Sequence, residues 1–153
     1  MGDLASAFRN HRQHYMGRHG RAIWDYGAVW QKRWAARSKG ISIPFFQSPW
    51  VMGTKTMEEA LERVKQWTLA DVLPQLKQPF LILHGENDLA IPLDHARKAY
   101  AAAGSADKQL RIFTVAQGGA EHVQADQRDQ ARQLIADWFA QRLSYPDSHL
   151  WSR

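Results

Sequence analysis

A carboxylate and an imidazole in this chain sit in patterns that would bring them together. Asp88 ends the stretch Gln78-Pro79-Phe80-Leu81-Ile82-Leu83-His84-Gly85-Glu86-Asn87-Asp88, and His122 ends the stretch Gln117-Gly118-Gly119-Ala120-Glu121-His122. A carboxylate that orients a histidine fixes the tautomer of the ring and leaves the other nitrogen free to take a proton. Taken alone, the first stretch allows equally that Asp88 only caps its turn or the helix that follows. The second stretch favours the pair, because its adjacent glycines let the backbone turn sharply and carry His122 towards another loop.

Positioning these groups falls to strands on either side of a helix. Phe80 to Leu83 is an apolar run opened by Pro79 and stopped by Gly85, too short for a usual helix. It reads as a strand buried on both faces of a parallel sheet. Lys108 to Val115 alternates like a second strand. Between them Pro92 starts a helix with the small-residue face Ala96, Ala99, Tyr100 and Ala103, and Gly104 ends it. Such a crossover makes the strands parallel, so both loops emerge at the end of the sheet where ligands and catalytic groups collect. A further strand is expected from Gly20 to Trp24, and a short helix from Asp3 to His11. Asp126 is expected as N-cap of a last helix burying Leu134, Ile135, Trp138, Phe139 and Leu143.

From Trp30 to Leu69 the strand pattern is absent. Trp30, Trp34, Phe45, Phe46, Trp50 and Trp67 make this segment aromatic, and Pro44 and Pro49 are expected to break it into pieces. Thr56-Met57-Glu58-Glu59 is a capping box, opening a helix to about Trp67 with Met57, Ala60, Leu61, Val64 and Trp67 on one face.

Taken together, residues from about Ile23 to Leu143 resemble the C-terminal half of an α/β-hydrolase, with the FrsA-type esterases and 2,6-dihydroxypseudooxynicotine hydrolase as the nearest subgroup. The likeness is carried by Ala22-Ile23-Trp24-Asp25-Tyr26, by Leu83-His84-Gly85-Glu86-Asn87-Asp88 with Ile91-Pro92-Leu93, by Gly118-Gly119-Ala120-Glu121-His122, and by Ile135-Ala136-Asp137-Trp138-Phe139. It implies an α/β fold, a partial hydrolase sheet of about three parallel strands with flanking helices. Residues 1–29 and 70–145 would form the core, 30–69 an aromatic-rich cap, and 146–153 a tail. It also implies hydrolysis of an ester or carbon–carbon bond of the Ser-Asp-His type, with Asp88 as acid, His122 as base and no cofactor. Trp24 and Trp30 would line the pocket for a small-molecule substrate with an aromatic or apolar group, although ordinary core packing accounts for Trp24 equally well. No G-x-S-x-G occurs in the sequence, so this chain alone is expected to lack serine-hydrolase activity. The alternative is a non-catalytic, hydrolase-derived binding or interaction module.

Composition narrows the remaining classes. At 153 residues, with 44% apolar and 23% charged residues, the chain is expected to fold around a single core. The lack of cysteine excludes disulfides and Cys-ligated zinc, and no signal peptide or membrane-length apolar run is evident. The expectation is a soluble cytoplasmic protein without membrane association. Residues 1–40 hold eight Lys and Arg against two acids, but no nucleic-acid motif accompanies that charge. A solvated basic face is the reading, and nucleic acid is not an expected partner. His11, His14 and His19 lack zinc-site spacing and a neighbouring acid, so no metal is expected there. A hydrolase sheet without the strand beside Ala22 would expose a pairing edge, from which a homodimer is expected.

Overall fold

The computed structural model describes residues 23–36 and 47–143. Along them run α1 (Tyr26–Ala36), α2 (Gln47–Met52), α3 (Met57–Val64), β1 (Phe80–Gly85), α4 (Leu93–Ala102), β2 (Lys108–Phe113) and α5 (Arg128–Arg142). Single turns of 3₁₀ helix lie at Leu73–Gln75, Val115–Gln117 and His122–Gln124. The architecture is mixed α/β.

β1 and β2 pair in parallel, with Phe80 opposite Lys108 and Gly85 opposite Phe113. Because the strands end in register, the loops after Gly85 and after Phe113 leave the sheet side by side. The helix between them packs closely because Ala96 and Ala99 are completely buried and present no bulk. Together with Leu73 and Ile82 they form one core, against which Trp24, Leu69, Phe80, Tyr100 and Leu110 pack. Burying an aliphatic side chain such as Ile82 contributes about 1.5–3 kcal/mol. Lys108 closes the end of α4 by donating from Nζ to the carbonyls of Tyr100 at 2.9 Å and Ala103 at 2.7 Å. Arg142, in the last turn of α5, grips Asp107 just before β2 through two bonds, Nε to Oδ2 at 2.7 Å and Nη2 to Oδ1 at 2.6 Å. Its guanidinium lies over the Trp138 ring, and its hydrogen bond holds the Asp107 carboxyl below the usual carboxylate range.

The sheet differs from the expected one of about three parallel strands. Two strands are present among the described residues; of the expected third, Gly20 to Trp24, only Ile23 and Trp24 are described, and the residue after them makes an isolated antiparallel bridge, Asp25 to Thr68. The hydrogen bonds of this segment are spent locally. Leu69 N–H donates to the Trp24 carbonyl at 2.9 Å, Tyr26 N–H donates to the Trp67 carbonyl at 3.0 Å, and α1 then begins. A strand needs a neighbour to pair with, and here the backbone is satisfied by the 67–69 turn instead. Residues 20–22 of the expected strand, the Asp3 to His11 helix, His11, His14, His19, Pro44, Phe45, Phe46 and the 146–153 tail lie outside the described residues.

A second apolar cluster joins α1 to α3. Trp30, Met57, Leu61 and Val64 are buried together, with Tyr26, Trp34 and Met52 packed around them. Thr56 caps α3 by accepting from Glu59 N–H at 3.2 Å, while the Glu59 carboxylate reaches back to the N–H of Lys55 rather than of Thr56. Pro49 does not break the segment. It lies in the first turn of α2, where a missing N–H costs nothing.

The start of α5 also departs from expectation. The helix begins at Arg128 behind Gln127, without a side-chain cap, and Asp126 is engaged elsewhere. Ala131 and Trp138 are the buried residues of this helix, while Leu143 lies beyond its end and is exposed.

Candidate active site

The register of the sheet brings Asp88 and His122 together. His122 Nδ1 lies 2.8 Å from both Asp88 oxygens. A carboxylate only accepts, so Nδ1 carries the hydrogen and Nε2 is left as the nitrogen able to accept a proton. The Asp88 side chain is 6% exposed and that of His122 27%, so the acid is covered and the imidazole opens to solvent.

Asp88 is held on its own side by the turn that follows. Its Oδ1 accepts from the N–H groups of Ala90 at 2.8 Å and Ile91 at 2.9 Å. Asp88 thus closes a turn and faces the histidine with the same carboxylate. Arg33 of α1 braces the turn by donating from Nη2 to the Ala90 carbonyl at 2.5 Å. This contact ties the aromatic helical cluster to the loop of the acid.

His84 braces the turn from inside. It is the penultimate residue of β1, 2% exposed, and its Nε2–H donates to the Ile91 carbonyl at 3.0 Å. Burial pushes its pKa down and nearby His122 adds to this, against the opposing pull of Asp88 and of the Ile91 hydrogen bond. The folded state therefore keeps His84 neutral below pH 6.5, where the unfolded chain would already bind a proton. Stability from this group is complete above that pH and is lost as pH falls through the window down to its folded value. Denaturant unfolding between pH 7 and 5 should show a decline of at most about 1.4 kcal/mol per pH unit for this histidine. His84→Gln, which keeps a donor but cannot titrate, should flatten the decline. His95, whose pKa is likewise lowered chiefly by burial, should contribute to the part that remains. An unchanged slope in His84→Gln would remove His84 from this role.

The loop of His122 is laced to the loop of Asp88 by backbone. Glu86 N–H donates to the Phe113 carbonyl at 2.9 Å, and Asn87 N–H donates to the Ala120 carbonyl at 2.9 Å. The Glu86 carboxylate accepts from Val115 N–H at 2.5 Å. Gly118 and Gly119 take φ of +78° and +82°, the left-handed region that glycine enters without cost. Beyond His122, Val123 and Gln124 also have positive φ, 54° and 52°. For a β-branched residue this conformation is an outlier costing about 1–3 kcal/mol, and it persists only where the surroundings impose it.

The remaining aromatic candidates and the neighbouring Asp25 have contacts of their own. Trp30 is 6% exposed inside the helical cluster, so its surface is spent on packing. Trp24 is half-buried against the α4 core and keeps some surface to offer a ligand. Asp25 caps α1, accepting from Ala28 N–H at 2.7 Å. Among the described residues no group of His, Asp and Glu has the arrangement of a metal site, and no helix is long and apolar enough to cross a membrane. Sequence reading missed three supporting residues: His84, Arg33 and Asp126. His84 carried a faint signal, as a histidine inside an apolar strand.

The sequence pattern that defines the prolyl oligopeptidase family matches residues 26–145 of this chain, a span that includes both Asp88 and His122.

Proposed function

Since the chain belongs to the prolyl oligopeptidase family, serine hydrolases of the α/β-hydrolase type, we propose that Asp88 and His122 are the acid and base of a Ser-Asp-His site that hydrolyses an ester or a carbon–carbon bond. The observation that carries this reading is the 2.8 Å contact of His122 Nδ1 with both Asp88 oxygens, which leaves Nε2 as the proton acceptor. In the reaction a serine hydroxyl attacks the substrate carbonyl and passes its proton to Nε2. Asp88 holds the ring and stabilises the imidazolium, which then returns the proton to the leaving group. The serine comes from outside these 153 residues, because they contain no G-x-S-x-G. The likeness to FrsA-type esterases and 2,6-dihydroxypseudooxynicotine hydrolase supports a small substrate with an aromatic or apolar group, for which Trp24 is the wall we favour.

The test supplies the missing part. The chain alone should take up no fluorophosphonate probe and hydrolyse no p-nitrophenyl ester above background. Coexpressed with a polypeptide bearing the nucleophile half of the same family, it should give labelling of the elbow serine and ester turnover. His122→Ala should lower that turnover on the order of 10⁶-fold, the effect of removing a triad histidine. Turnover that survives His122→Ala would overturn the assignment, and a complex that forms without activity would favour the binding-module reading.

A further inference from the structure

One carboxylate near the site faces neither substrate nor histidine. Asp126 Oδ2 accepts from Gly119 N–H at 2.7 Å and from Ala120 N–H at 3.1 Å, and Oδ1 accepts from Glu121 N–H at 3.0 Å. Consecutive amides that converge in this way form a concave anion-binding surface, and here the anion is supplied by the chain itself. The residue after the last of these amides is His122. On the other side of the same segment, Asn87 N–H holds the Ala120 carbonyl, so the backbone from Gly119 to Glu121 is gripped from both sides.

We propose that Asp126 is a positioning residue for His122, setting through the three amides where the imidazole stands against Asp88. The inference rests on the reading of Asp88 and His122 as an acid–base pair. Two further observations support it. The left-handed Val123 and Gln124 lie between His122 and Asp126, a conformation that relaxes unless both ends of the turn are fixed. Burial would raise the Asp126 pKa, but the amides of Glu121, of Asp126 itself, of Gly119 and of Ala120 together outweigh it and hold the carboxyl below the usual range. The group is therefore an anion whenever the neighbouring chemistry operates.

The experiment is ¹⁵N-histidine NMR of the full chain, following the His122 Nδ1 proton, in wild type, Asp126→Asn and Asp126→Ala. Arg142→Ala, which breaks the remote bond to Asp107, serves as a variant weakened away from the site. Solvent exchange of the Nδ1 proton should be fastest in Asp126→Ala, about ten-fold or more above wild type, and intermediate in Asp126→Asn, which keeps one accepting oxygen. Arg142→Ala should leave it near wild type. If Asp126→Ala does not fold, the Asn variant decides by the same readout. Exchange unchanged in the Asp126 variants, or accelerated equally in Arg142→Ala, would overturn the inference. The signal is read without turnover, so failure of the hydrolase reading would leave this result standing, and the converse holds as well.

Discussion

Replacing Gly85 by alanine is expected to separate Asp88 from His122 without altering either residue chemically. Gly85 is the last residue of β1, opposite Phe113, and the backbone of the histidine loop lies directly on it. A Cβ there would stand 2.1 Å from the Ala120 carbonyl oxygen, 2.5 Å from its carbon and 2.6 Å from the Glu121 oxygen. These are backbone atoms, which cannot swing aside as the tip of a long side chain would. Relief requires the Ala120–Glu121 segment to retreat by about an ångström, and a hydrogen bond of 2.8 Å does not survive such a displacement. The Asn87 bond to Ala120 and the Asp126 bonds would stretch with it. Overpacking of this kind costs about 1–3 kcal/mol, a sizeable share of the 5–15 kcal/mol that holds a typical domain together. Gly104→Ala is the matching control, since its Cβ would meet the Pro74 carbonyl oxygen at 2.0 Å, at the other end of the sheet. Both variants should unfold at lower urea concentration, but only Gly85→Ala should lose the His122 Nδ1 proton signal. A Gly85→Ala chain that keeps the signal would show that the loop tolerates the methyl and that its proximity is incidental.

The portions of this site legible in the sequence are those set by short-range pattern. Phe80 to Leu83 is apolar, short and bounded, which marks a buried strand, and the alternation of Lys108 to Val115 marks its neighbour. Given two parallel strands and one helix between them, the meeting of Asp88 and His122 follows from topology. The Ala96 and Ala99 face and the Thr56 cap are likewise local patterns. What stayed hidden depends on partners distant in sequence. The segment from Ile23 to Asp25 has a strand-like composition, but composition does not specify that residues 67–69 will take its hydrogen bonds. Asp126 lies two residues before a helix, and the usual rule makes it a cap. Here the carboxylate is taken instead by three amides of a preceding loop. Arg33 offers no pattern at all, because its target, the Ala90 carbonyl, is a bare backbone atom 57 residues away. Supporting contacts of this kind follow from the fold and do not announce it.

The largest loss of stability from a single truncation near the site is expected at Phe113. Its side chain is 1% exposed, and with Ile82 it is one of the two largest fully buried side chains among the described residues. The ring lies under the glycine turn of the histidine loop, where a Cβ at Gly119 would meet two ring carbons at 3.1 and 3.2 Å and the Phe113 Cβ at 3.3 Å. The Arg111 guanidinium covers it from the side, 5.5 Å from the ring centre. Phe113 therefore does two things: it fills the end of the sheet and forms the floor on which Gly119 turns. Phe113→Ala removes the ring and leaves a cavity that the stiff parallel strands cannot close, at a cost of about 3–5 kcal/mol. Phe113→Leu keeps most of the volume and should cost less than about 1.5 kcal/mol if the neighbours repack. The difference separates filling from floor. If the ring acts only as filler, the Leu variant should behave as wild type in urea unfolding and in exchange of the His122 Nδ1 proton. If the flat ring is the surface that Gly119 needs, the Leu variant should unfold near the wild-type midpoint and still lose protection at His122, because a branched side chain cannot match the face of an aromatic ring. We expect the second outcome, since the approach at Gly119 is tighter than most Cβ positions tolerate. A Phe113→Ala loss below about 1 kcal/mol would contradict the burial that this expectation rests on.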